Sequence, residues 1–212
     1  MVNQGIVKDA VFTLALDRVP RGTPVSASAG MMAFGGLVPG SYYVKPFTSV
    51  PIEVTGLPGG GPGELLWYSI SHELLYSLAN GTVVSAGTFQ SVLDTGTAAN
   101  FIPSSLAKDI NAQFVPPGVY NATLAYWVVD CDAKAPYAAY KIGGKEMPID
   151  PRDMIVRSLN GIPGYEDVCF SAFADGGGIG DLMIIGEVWQ RSYVVAYDQG
   201  QSMLHFANRK PY

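Results

Sequence analysis

Seven apolar runs of five to eight residues, cut off by Gly, Pro, Asn or Asp, limit what this 212-residue chain can become. They are Ala10 to Leu16, Gly30 to Phe34, Phe47 to Val54, Leu65 to Ile70, Thr88 to Leu93, Ala138 to Ile142 and Tyr193 to Tyr197. Runs this short, rich in Val, Ile, Phe and Tyr, suit strands better than helices. Their spacing predicts a sandwich or barrel-like β fold. Composition points the same way. Gly (25) and Pro (15) supply turns while charged residues are only 15%, a balance of β-rich, secreted-type proteins more than of cytosolic helical ones.

Helical pattern is sparse. Pro103 to Gln113 reads as the best helix, capped by Ser104 or Ser105, with Leu106 and Ile110 four apart on its buried face. Asp150 to Val156 and Glu187 to Tyr193 read as shorter helical turns. Leu57 to Gly63 is expected to be a flexible surface insertion rather than a linker, because strand signals continue on both sides. No internal repeat is visible.

A chain of this length buries roughly 70% of its unfolded surface and needs no metal to hold it together. Thirteen basic against eighteen acidic residues give a net charge of −5 with no basic cluster, so nucleic acid is not an expected partner. No apolar run is long enough to span a bilayer, so neither is a membrane. Met1 to Lys8 carries no signal-peptide core. Two sequons, Asn80-Gly81-Thr82 and Asn121-Ala122-Thr123, would accept glycans in a secreted eukaryotic protein. Cys131 and Cys169 could close a loop, for about 4 kcal/mol in the chain-entropy model, or stay as two buried thiols.

The segment with the most chemical content is Ser91-Val92-Leu93-Asp94-Thr95-Gly96-Thr97, which occurs once. An apolar strand delivers a carboxylate at its end, and a hydroxyl and a glycine follow. That pattern holds an acid in a turn, half in and half out of a core. An Asp capping a turn at a strand end would read the same way. Hydrolysis of a peptide by carboxylates alone needs two of them around one water, and this chain supplies one clear candidate.

With strand, turn and helix placed around it, Val92-Leu93-Asp94-Thr95-Gly96-Thr97 resembles the second active-site motif of the pepsin-like aspartic proteases. Ala33-Phe34-Gly35-Gly36 with Tyr42-Tyr43 is similar to the strand and turn that end that family's first lobe. Pro46 to Tyr68, ending Leu66-Trp67-Tyr68, is similar to the start of its second lobe. Cys131 and Cys169 stand where that lobe carries its disulfide. Met183-Ile184-Ile185-Gly186-Glu187-Val188-Trp189-Gln190-Arg191, with Tyr193 and Tyr197-Asp198, resembles the late apolar-apolar-Gly motif and the short helix and strand after it. The likeness runs over nearly the whole chain. Two positions depart from it: Glu187 stands where the family usually has Asp, and Ala98 where it commonly has Ser.

The resemblance implies an all-β acid-protease fold. One complete lobe, a barrel-like sandwich with short helices, is expected over residues 46–212. The tail of a first lobe and part of an inter-lobe sheet are expected over 1–45. It implies an aspartic endopeptidase in which Asp94 is the second-lobe acid and Thr95 bonds across to its counterpart. Gly96 would let substrate approach, Thr97 would bond the outer carboxylate oxygen, and Ala98 would border the site. Ile184, Ile185 and Gly186 would pack beneath the loop. The partners would be a peptide or protein substrate and the missing amino-terminal lobe, with no cofactor and no metal. The destination would be secreted or vacuolar.

No second Asp-Thr-Gly or Asp-Ser-Gly precedes Asp94. Asp130, Asp132, Asp175, Asp181 and Asp198 lack the apolar lead-in and the Thr-Gly that comes after it. The chain therefore carries half an active site, which leaves three readings. One is the carboxyl-terminal portion of an endopeptidase, and another is a catalytically incomplete lobe that binds peptide or protein. The third is a homodimer pairing two copies of Asp94. Gly176 to Gly180 lacks the Lys and Ser/Thr of a phosphate loop and reads as a plain loop. His72 and His205 are too isolated for a metal site, and no Ser/His/Asp set is legible. Trp67, Trp127 and Trp189 read as core aromatics.

Overall fold

In this computed structural model, residues 1–18, 29–54, 68–157, 168–177 and 183–211 are described. The strands, in chain order, are β1 (Val11–Leu16), β2 (Gly30–Phe34), β3 (Tyr43–Pro51), β4 (Ser69–Ser77), β5 (Val83–Leu93) and β6 (Asn100–Ile102). After helix α1 (Ser104–Asn111) come β7 (Val119–Asn121), β8 (Tyr126–Val129), β9 (Ala138–Ile142), β10 (Lys145–Pro148) and β11 (Ile155–Arg157). They are followed by β12 (Cys169–Ser171), β13 (Phe173–Asp175), β14 (Met183–Ile185), the short helix α2 (Glu187–Gln190), β15 (Tyr193–Asp198) and β16 (Met203–Arg209). The fold is mostly β, as expected, and none of its sheets closes into a barrel among the described residues.

The chain forms two compact units. The first comprises 1–70 and 190–212 and holds a five-stranded sheet ordered β2-β1-β15-β16-β3. Its strands pair antiparallel, so the last two strands of the chain lie between its first ones. Ala15, Val38 and Val194 are buried on one face with Ala33, Tyr42 and Tyr43 against them. On the other face Phe12 stacks on Tyr197 at 4.6 Å, and Tyr68 meets Tyr197 edge-on at 4.8 Å. Arg209 ties the sheet together: it pairs with Asp17, donates to the Tyr42 carbonyl at 3.1 Å and lies over the Tyr42 ring. Gly30 must be glycine, because its φ is +140° and a Cβ there would sit 2.2 Å from the Ala15 carbonyl oxygen.

Residues 71–189 make the second unit. Most of its sheet, ordered β10-β9-β4-β5-β14-β6-β13, is apolar on its inner side; Leu74, Ile102, Tyr140, Ile142 and Ile185 have no exposed surface. Two pairings are parallel, β14 with β5 and β13 with β6, and they bring the chain back beside the Asp94 strand. A four-stranded sheet, β11-β12-β8-β7, carries the Cys131–Cys169 disulfide, whose Cα atoms are 5.2 Å apart.

Helix α1 lies inside the expected span and buries Ala107, Ile110 and Asn111. Its cap differs from expectation. Pro103 is the N-cap residue, and no side chain caps the first turn. Ser104 is already the first helical residue, and its hydroxyl donates to the Asp175 carboxylate at the end of the neighbouring β13 at 2.6 Å. The expected turn over Asp150 to Val156 is a single 3-10 turn, Pro151–Asp153, running directly into β11. Leu57 to Gly63, Trp67 and most of Gly176 to Gly180 lie outside the described residues.

Candidate active site

β5 runs buried through Ser91, Val92 and Leu93 and then releases the chain at Asp94, which is half-buried. The release is sharp because β14 pairs in parallel only as far as Ile185 opposite Leu93, and the Asp94 amide donates to the Ile185 carbonyl at 3.1 Å. Thr95 and Gly96 are exposed, and Thr97 and Ala98 return half-buried. The carboxylate is held by its own loop. The Gly96 amide donates to Oδ1 at 2.8 Å and the Thr97 hydroxyl to Oδ2 at 2.5 Å. Two donors on two oxygens fix the plane of the acid while leaving it at the surface.

A side chain would meet the acid loop at both Gly96 and Gly186, far more severely at Gly186. A Cβ on Gly96 would stand 3.2 Å from Asp94 Oδ1, crowding the acid. A Cβ on Gly186 would lie 2.2 Å from the Ala99 carbonyl oxygen and 2.6 Å from that of Thr97. Gly186 therefore lets the end of β14 pass directly beneath the loop. Its amide donates to the buried Asn100 side chain at 3.0 Å. The next two amides, Glu187 and Val188, donate to the Thr97 and Ala98 carbonyls at 2.8 and 3.2 Å. The start of α2 thus grips the loop through its backbone, so the longer Glu187 side chain leaves these bonds intact.

Asp94, Thr95, Gly96, Thr97 and Ala98 thus form one loop, with Ile185 and Gly186 directly under it and Ile184 between Val92 and Phe101. Cys131 and Cys169 are bonded to each other on β8's end and β12. Asn80 lies in the turn from β4 to β5, and Asn121 opens the turn from β7 to β8. Sequence reasoning missed Asn100; a lone Asn six residues after the acid carries no pattern. It also missed contacts of both histidines. His72 Nε2 shares a buried hydrogen bond with Ser91 Oγ at 2.6 Å. In the first unit, His205 Nδ1 lies 2.7 Å from Ser49 Oγ, with Asp198 3.7 Å from its other nitrogen. That last separation is too long for a hydrogen bond, so Asp198 does not orient the ring as a base for Ser49.

Among the described residues no cluster of His, Cys, Asp or Glu could hold a metal, and no helix is long and apolar enough to cross a membrane. The loop presents one carboxylate with its hydrogen-bond donors in place, a geometry suited to holding a water or a second acid.

The sequence model of the family described as eukaryotic aspartyl protease matches residues 1–209. The "Probable aspartic-type endopeptidase" of Aspergillus fumigatus is 32% identical over 215 residues, covering 98% of this chain and 46% of that protein. Gastricsin of Mus musculus is 26% identical, covering 96% of this chain and 48% of its own length. Pepsin A of Bos taurus is 24% identical, covering 97% and 49%. The chain therefore spans about half the length of the curated relatives it matches. A match over nearly every residue, joined to the loop geometry at Asp94, leads to one conclusion: this chain belongs to the eukaryotic aspartyl protease family.

Proposed function

We propose that this chain is the carboxyl-terminal half of an aspartic endopeptidase, and that Asp94 is one of the two acids that activate the hydrolytic water. The observation that carries the reading is the Asp94 loop itself, with both carboxylate oxygens engaged by donors from Gly96 and Thr97 at the surface. In the mechanism the ionised acid of the pair takes a proton from water as that water attacks the scissile carbonyl. The protonated acid polarises the carbonyl. Two neighbouring carboxylates titrate as a unit, which favours acidic conditions. Thr95, exposed at the loop tip, is free to meet the partner loop, and Ala98 borders the cleft.

The second acid would come from an amino-terminal lobe. Half-length coverage of the relatives supports this, and so does the outer part of the first unit's sheet. Met32 and Phe34 on β2 are 46% and 52% exposed beside Leu37 at 47%, an apolar edge that a further lobe would cover. The same edge favours the second reading, an incomplete lobe that binds peptide or protein. Reading the gene upstream of Met1 tests the choice. An in-frame Asp-Thr-Gly or Asp-Ser-Gly supports the endopeptidase, and a stop codon directly upstream supports the binder.

An endopeptidase of this kind would be secreted or vacuolar, and there Asn80 and Asn121 would carry glycans. Each side-chain oxygen accepts the backbone N–H two residues on, from Thr82 at 2.9 Å and Thr123 at 3.0 Å, which turns the amide nitrogen away from its own turn.

A further inference from the structure

Between β4 and β5 the second unit buries a polar pair. His72 is 2% exposed and Ser91 is 1% exposed, and Nε2 of the one lies 2.6 Å from Oγ of the other. Ser91 is three residues ahead of Asp94 on the same strand, directly opposite Met183 of β14. The imidazole stands edge-on to the Tyr140 ring of β9 at 4.8 Å. Tyr140 in turn stands edge-on to Trp189 of α2 at 5.8 Å. Trp189 is fully buried and anchored by its indole N–H on the Met147 carbonyl at 3.2 Å. Two residues before Trp189, the Glu187 amide holds the Thr97 carbonyl of the acid loop.

These contacts close on themselves: Asp94, Ser91, His72, Tyr140, Trp189, Glu187, Thr97 and back to Asp94. We propose that the His72–Ser91 pair is a positioning element for the Asp94 carboxylate, locking the strand that enters the loop to the helix that leaves it. This rests on reading Asp94 as a catalytic acid. The backbone ladder and the buried face set the register of β4 and β5, but apolar contacts between them resist a small shear along the strands only weakly, because dispersion has little direction. A hydrogen bond between buried groups resists it strongly. Sliding β5 past β4 strips both partners of their bond in a place water cannot reach. The pair therefore fixes where β5 ends, and so where Asp94 emerges. Neither residue touches the reacting atoms.

Hydrogen exchange on the 212-residue protein tests the ring without needing catalysis. Ser91→Ala removes one buried atom and leaves the fold in place. The Asp94, Glu187 and Val188 amides should then exchange about tenfold faster, while the Ala107 and Ala112 amides of α1 stay at wild-type rates. The His72→Leu, Ser91→Ala double variant lacks the hydrogen bond as well, so its loop amides should stay fast although the pair is now apolar, and their return to wild-type rates would overturn the proposal; Ser91→Thr, which keeps the hydroxyl, should hold them at wild-type rates. In the bilobal enzyme Ser91→Ala should lower kcat about tenfold with KM unchanged. A rise in exchange spread evenly over α1 and the loop, or a loop and kcat both unmoved, would overturn the proposal. If the wild-type bilobal enzyme cleaves nothing, the catalytic reading fails, and the exchange pattern still decides the ring.

Discussion

Asp94 keeps both carboxylate oxygens bonded without being buried, and those bonds come from the two residues nearest to it that can reach. Gly96 supplies a backbone donor that any residue would supply, so its identity matters for the space around Oδ1. Thr97 supplies a hydroxyl, and its loss is the cleaner experiment. Thr97→Val keeps the shape and removes the donor to Oδ2; in the bilobal enzyme kcat should fall about tenfold while the melting temperature moves little. Gly186 is the opposite case, with no role in chemistry and no room for a methyl group. Gly186→Ala should cost roughly 3 kcal/mol in a urea titration, because the Ala99 and Thr97 carbonyls are backbone and cannot step aside. At this scale the acid loop was legible, since its chemistry is written in consecutive residues. Asn100, His72 and Ser91 were not, because each acquires its meaning from a strand distant in sequence.

Among the elements, three strands share one carboxylate. Glu73 on β4 is held below the ordinary carboxyl range, first by a hydrogen bond from Ser85 on β5 and then by Lys141 on β9, which lies 3.1 Å away. A lowered folded-state pKa stabilises the protein above the unfolded value, here the ordinary 4.5, and that stability is lost as pH falls through the folded value. Glu73→Gln should therefore lower the melting temperature slightly at neutral pH, and the two curves should converge as the pH falls through the folded value of Glu73. A gap that persists or widens in acid would contradict the cross-strand tie. The turns are testable too. Protein made through a eukaryotic secretory pathway should carry two glycans, and Asn80→Gln and Asn121→Gln should each remove one mass increment. β9 was legible to the residue because Ala138 to Ile142 is apolar except for Lys141 and is followed by two glycines. β16 escaped notice because His205, Asn208 and Arg209 interrupt its apolar pattern, and its place is fixed instead by pairing with β15 and β3.

At the scale of the whole chain, this family member spans about half the length of its relatives, and among its described residues Met32 and Phe34 leave an apolar sheet edge exposed. In the proposed endopeptidase an amino-terminal lobe would bring the second carboxylate and cover Met32 and Phe34. The sequence conveyed the all-β class and the family through motifs spread along the chain. It could not convey the two compact units, because the first is assembled from both ends of the chain, joined by the pairings of β1 with β15 and β3 with β16. The most direct measurement is cleavage of an unstructured polypeptide at acidic pH by three samples: the 212-residue chain alone, the bilobal enzyme, and the bilobal enzyme carrying Asp94→Asn. The expected result is hydrolysis by the second sample only. Undiminished cleavage by the Asp94→Asn enzyme would contradict the assignment of this carboxylate to the reaction.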